Sequence, residues 1–115
     1  MMSNPSLPDD RNRRATPRKM LRQPVTVAYG ATTAIVRTWD LGRDGMCLLS
    51  PRPIAPGTRC KLGFELPLAG STIDLAVAAK VVYSSYSAAG EFKIGTVFVD
   101  LDQDTALTLA KFAAG

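Results

Sequence analysis

The chain has 115 residues, 46% of them hydrophobic, with a mean hydropathy of +0.05, which is enough for one domain with one modest core. It contains no histidine, which removes the commonest general base, the Ser-His and Cys-His nucleophile pairs and most zinc sites. The net charge of +4 sits entirely in residues 1–24, which hold six basic and two acidic side chains, while residues 25–115 hold eight of each.

Residues 1–23 are polar, contain proline and lack apolar periodicity, so they read as a flexible basic arm. Its first residues, Met1 to Pro8, lack the apolar core of a signal peptide. No apolar run approaches the roughly 18 residues of a membrane span. A cytoplasmic protein without membrane insertion is therefore expected. Residues 24–115 read as the folded domain. Val25–Tyr29 is a strand closed by Gly30, and Thr33 to Leu41 is a second, rich in β-branched and aromatic residues. A tight Gly42–Gly45 turn leads into Gly45–Ser50, and Pro56-Gly57 punctuates the loop that follows.

Alternation then becomes clear. Leu62, Phe64 and Leu66 share one strand face, and Ala69-Gly70 marks a hairpin. Ile73, Leu75, Val77, Ala79, Val81 and Tyr83 alternate over an unusually long strand, and Phe92, Ile94, Thr96 and Phe98 line the last one. Gly95 is expected to mark a bulge or bend there. Asp102 reads as a helix N-cap, followed by Ala106, Leu109, Ala110 and Ala113 at helical spacing. Six strands with short turns, then one helix, predict a mainly β protein: an antiparallel barrel or sandwich with the helix over an open end or flank. Cys47 and Cys60 fit no CxxC pattern and read as small buried hydrophobes.

Two segments carry the chemistry. Arg14-Ala-Thr-Pro-Arg18 fits the RxxxR element of PilZ domains, the bacterial receptors for cyclic di-GMP. Asp40-Leu-Gly-Arg-Asp-Gly45 resembles their second element, (D/N)xSxxG, with Gly42 in place of the serine. The resemblance runs from Arg11 to about Phe112 and includes Gly95-Thr-Val-Phe98 and Asp100-Leu-Asp102 at the exit into the terminal helix. It implies a six-stranded antiparallel PilZ-type β-barrel with one C-terminal helix, and a site made of Arg13, Arg14, Arg18, Asp40, Gly42 and Gly45. The physics fits those roles. A guanidinium can stack on guanine while reaching phosphate oxygens, and a carboxylate accepts both donors of the guanine Watson–Crick edge. Gly45 is expected to permit a positive φ or a close ligand approach. Taken alone, Asp40 could instead cap its own turn. Trp39 is expected to pack in the core or at the rim, and Arg43 to face solvent.

The resemblance thus implies a stand-alone cyclic di-GMP receptor, not an enzyme, with no metal or cofactor, acting by changing how it meets a downstream protein. Motility, biofilm matrix and attachment are the outputs such domains serve. Arg13 beside Arg14 raises an intercalated ligand dimer, two per chain, against a single ligand with Arg13 in solvent. A PilZ adaptor that has lost the nucleotide is the second reading. A nucleic-acid binder using the basic arm is the third, without an aromatic strand platform or helix-turn-helix to support it.

Overall fold

The computed structural model describes residues 18–88 and 90–114. Seven strands and one helix follow in order: β1 (Arg18–Met20), β2 (Pro24–Tyr29), β3 (Thr32–Gly42), β4 (Gly45–Ser50), β5 (Arg59–Leu68), β6 (Ser71–Tyr86), β7 (Phe92–Phe98) and α1 (Gln103–Ala114). All pairings are antiparallel. The order β3-β2-β5-β6-β7-β4 is closed by a β3–β4 ladder, which makes a six-stranded barrel with no free outer strand. β1 pairs with Asp40–Gly42 of β3, beyond the Thr32–Arg37 stretch that pairs with β2.

The period-two pattern sets which side chains fill the barrel. Val25 and Val27 of β2, Met46 and Leu48 of β4, Leu62, Phe64 and Leu66 of β5, and Val77, Ala79 and Val81 of β6 are all buried. Ala69 and Gly70 have φ of 54° and 78°, the two positive values that a tight two-residue hairpin needs. Ile73 departs from the expected inward face and is 38% exposed. It lies where the β5–β6 ribbon runs past the short β2–β5 pairing at Lys61–Gly63.

α1 starts where the sequence places its cap. Asp102 Oδ1 accepts the Thr105 N–H at 2.7 Å, and the Asp102 carbonyl accepts the Ala106 N–H at 3.0 Å. Leu109, Phe112 and Ala113 are buried, and the helix packs against β1, β3 and β5. The described helix is too short to cross a membrane.

The expected free arm differs from the structure over its last six residues. Arg18, Lys19 and Met20 pair with Gly42, Leu41 and Asp40. Leu21 is buried, and its N–H donates to the Trp39 carbonyl. Thr38, fully buried, holds the exit into β2: its hydroxyl donates to the Leu21 carbonyl and accepts the Gln23 N–H at 3.2 Å. The cause is long-range. A polar segment with only two apolar residues, Met20 and Leu21, gives no local signal, yet β3 has Asp40–Gly42 to pair with beyond its β2 partner, and Leu21 is buried in the core. Residues 1–17 of the expected arm lie outside the described residues.

Candidate functional site

Two β-bulges interrupt the alternation on one side of the barrel. In β3 the register with β4 shifts between Thr38 and Asp40, so Trp39 is the extra residue. Thr38 and Leu41 point inward and are fully buried, which leaves Trp39 and Asp40 side by side on the outer surface. In β6 the register with β7 shifts between Val81 and Tyr83, so Val82 is the extra residue. Val82 and Tyr83 are consequently both exposed, at 48% and 45%. This corrects the inward placement of Tyr83 that strict alternation implies.

The bulges flank one pocket of about 320 Å³. Asp40, Cys47, Gly95 and Tyr83 form a cross-strand row through β3, β4, β7 and β6. Gly95 makes that row possible. A Cβ there would lie 2.0 Å from Tyr83 Cε2, so the tyrosine ring occupies the space a side chain would need. The ring reaches across β7 until its hydroxyl is 3.7 Å from Cys47 Sγ. Burial is the main cause that pushes the Tyr83 hydroxyl up to about 12, with the Cys47 contact second. The Cys47 thiol is likewise raised, chiefly by burial, against a lowering from the Tyr83 hydrogen bond. Both groups are therefore neutral at physiological pH, and the charge in the pocket comes from Arg18, Asp40 and Lys93.

Arg18 and Asp40 meet directly. Arg18 Nη2 donates to Asp40 Oδ1 at 2.6 Å and Nε to the same oxygen at 3.1 Å. The side chains are 36% and 25% exposed, so the pair contributes about 0–1 kcal/mol to stability and can be exchanged for other contacts at little cost. On the other side of Asp40, the Trp39 ring carries two cations: the Arg22 guanidinium at 4.0 Å from its centroid and the Lys93 ammonium at 4.9 Å. The arrangement offers a carboxylate, guanidinium groups, an ammonium and aromatic surface around one concavity, which suits an anionic ligand with a hydrogen-bonding base. Among the described residues, no cluster of acidic or cysteine side chains could hold a metal ion.

The family model for the PilZ domain matches residues 12–115. The chain belongs to the PilZ domain family. Three of the solved structures that share the fold illustrate it. The Bacillus subtilis inhibitor of motility, MotI/DgrA, superposes with a TM-score of 0.75 at 12% identity, over 86% of this chain and 48% of its own. The PilZ domain of CeSA from a cellulose-synthesizing bacterium gives 0.58 at 19% identity, over 85% and 95%. Borreliella burgdorferi PlzA, determined in complex with cyclic di-GMP, gives 0.61 at 13% identity, over 93% and 43%. The chain thus spans about half the length of MotI/DgrA and less than half of PlzA. Among curated proteins, none matches it in sequence.

Within this PilZ barrel Arg18 of the first motif meets the second, because β1 sets it opposite Gly42 and beside Asp40. Asp40 lies inside β3, within the strand expected over Thr33 to Leu41, and its carboxylate binds Arg18 instead of capping its own backbone. The connection between β3 and β4 is Arg43 and Asp44, both exposed. Gly45 does not take a positive φ. A Cβ there would lie 2.1 Å from the Thr96 carbonyl oxygen, so glycine is required by the closeness of β7. Gly42 closes β3 and is not among the positive-φ glycines. Arg13 and Arg14 lie outside the described residues.

Sequence reasoning missed Lys93, Arg22 and Tyr83. The one available signal was Gly95, read as a bulge or bend; a bulge does lie opposite it, in β6, and the Tyr83 ring fills the space above it. Trp39 is half-buried at the rim, in line with its expected packing role, and also holds the two cations.

Proposed function

We propose that this protein is a cyclic di-GMP receptor that regulates a downstream protein by changing its own surface. The observation that carries the reading is the β1–β3 pairing, which brings the Arg18 guanidinium onto the Asp40 carboxylate in one pocket. A guanine entering there replaces Arg18 on Asp40 with its own N1–H and N2–H donors. The released guanidinium then stacks on the base or meets a phosphate. Four residues of chain span at most ~14 Å, so Arg14 stays within reach of the same ligand. PlzA, with the same fold, was determined with cyclic di-GMP bound, and MotI/DgrA is named for motility inhibition. These favour a second-messenger role in motility, biofilm or attachment, in a regulatory module and not an enzyme.

Titration calorimetry with cyclic di-GMP, with GTP and DNA as controls, tests the proposal. Micromolar or tighter binding is expected for cyclic di-GMP alone. Arg14→Ala, Arg18→Ala and Asp40→Ala each weaken it about tenfold or more, since truncating a charge-assisted contact costs roughly 1.5–3 kcal/mol. The absence of heat at millimolar ligand would favour the adaptor reading. That reading draws on Gly42, which lacks the family hydroxyl, and on Asp40, already satisfied by Arg18.

A further inference from the structure

Lys93 and Arg22 belong to neither recognition motif, yet both are held at the Trp39 ring beside the pocket. Each such cation–π contact is worth only about 0.5–1 kcal/mol at an exposed site, so both cations can be drawn to a stronger anionic partner. Among the described residues the ion pairs are Arg18–Asp40, Arg37–Glu91 and Arg43–Asp44; neither Arg22 nor Lys93 has a carboxylate there. Lys93 lines the same pocket as Asp40 and Arg18, and all three lie close enough to Cys47 to influence its thiol. The pocket is therefore polarised. Its carboxylate suits a base edge, and Lys93 in its wall, with Arg22 at the Trp39 ring beside it, suits an anion.

We infer that Lys93 and Arg22, positioned by the bulged Trp39, form a phosphodiester subsite that fixes how the cyclic dinucleotide lies across the barrel. The inference rests on the cyclic di-GMP reading. The bulge is what sets it up. Without the extra residue in β3, either Trp39 or Asp40 would turn into the core, and the base and phosphate contacts could not sit side by side. Arg22 and Lys93 approach the ring from different elements, the β1–β2 connection and β7, so ligand phosphate also ties β1 to β7.

Calorimetric titration with cyclic di-GMP of the unmodified protein, Lys93→Ala, Lys93→Arg, Arg22→Ala and Lys61→Ala provides the test. Lys61 is an exposed β5 lysine that does not line the pocket, so it controls for net charge alone. Lys93→Ala and Arg22→Ala are each expected to weaken binding about tenfold or more, as for a lost charge-assisted contact. Lys93→Arg and Lys61→Ala should bind as the unmodified protein does. Trp39→Phe, which keeps a ring, should retain more affinity than Trp39→Ala. Lys93→Ala binding as tightly as the unmodified protein, or Lys61→Ala weakening it equally, overturns the subsite while leaving the receptor reading intact. No binding by the unmodified protein overturns both.

Discussion

Gly95 and Gly45 show how one residue type answers to two different neighbours. At Gly95 an added Cβ meets the outer end of a tyrosine ring, which can swing away. At Gly45 it meets the Thr96 backbone oxygen, which cannot move without opening the β4–β7 ladder. Gly95→Ala is therefore expected to expel the Tyr83 ring and cost about 1–3 kcal/mol, with Gly45→Ala costing more. Spectrophotometric titration checks the first directly. The Tyr83 hydroxyl, pushed up to about 12, should fall back toward the ordinary 10.0 once the ring leaves its place over Gly95. An unshifted tyrosine titration in a folded Gly95→Ala variant would falsify the packing account. Gly42 poses a different question. It closes an extended strand opposite Arg18, and its backbone does not demand glycine. Gly42→Ser should then be accepted and tighten cyclic di-GMP binding by about 2- to 13-fold, the range of one added hydrogen bond, as read by calorimetry. Weaker binding in that variant would mean that a side chain at 42 obstructs the ligand.

At the scale of elements, β1 and α1 depend on single polar residues that close their ends. Thr38 satisfies the chain between β1 and β2 from a fully buried position. Asp102 satisfies the first turn of α1 from an exposed one. The Asp102 carboxyl lies below its usual range because the Thr105 backbone N–H, then its hydroxyl, favours the ionised form. A depressed carboxylate stabilises the fold above its unfolded value of 3.8, and that contribution is lost as the pH falls through the lower folded value. Helical circular dichroism should thus decline at the acid end of a titration from about pH 6 to about pH 2. In Asp102→Ala the helix should be frayed already at neutral pH, with a shallower acid response. An identical acid profile in the two proteins would assign the decline to other carboxylates.

Across the whole molecule, barrel closure makes the outer wall of β3, β4, β7 and β6 one continuous surface, and the chain enters it at Arg18. The number of ligands that surface takes is expected to depend on Arg13 as well. One cyclic di-GMP offers two guanines and an intercalated pair four, with more negative charge packed together. A third arginine stacking on an outer guanine would offset that repulsion. Two ligands per chain are the expected calorimetric ratio, and Arg13→Leu should lower it to one while Arg14 and Arg18 retain a single ligand. A ratio of one in the unmodified protein would rule the pair out.

The sequence alone determined what is local or periodic. Alternation delimited the six barrel strands to within a few residues, and Asp102 marked the start of α1, because a strand face and a helix cap are written in neighbouring side chains. The spacing of Arg14, Arg18, Asp40 and Gly45 indicated the family, because such motifs are short. Only the tertiary structure decided the shape of the site. A bulge inserts one residue without a mark in the sequence, yet it reverses every facing beyond it, and so Trp39, Asp40, Val82 and Tyr83 came to line one wall. The reasons for Gly45 and Gly95 lie on adjacent strands, in Thr96 of β7 about fifty residues from Gly45 and in Tyr83 of β6. β1 formed because the end of β3 beyond its pairing with β2 was there to receive it. These are contacts across a closed sheet, set by which strands meet and in what register, and no window of sequence contains both partners.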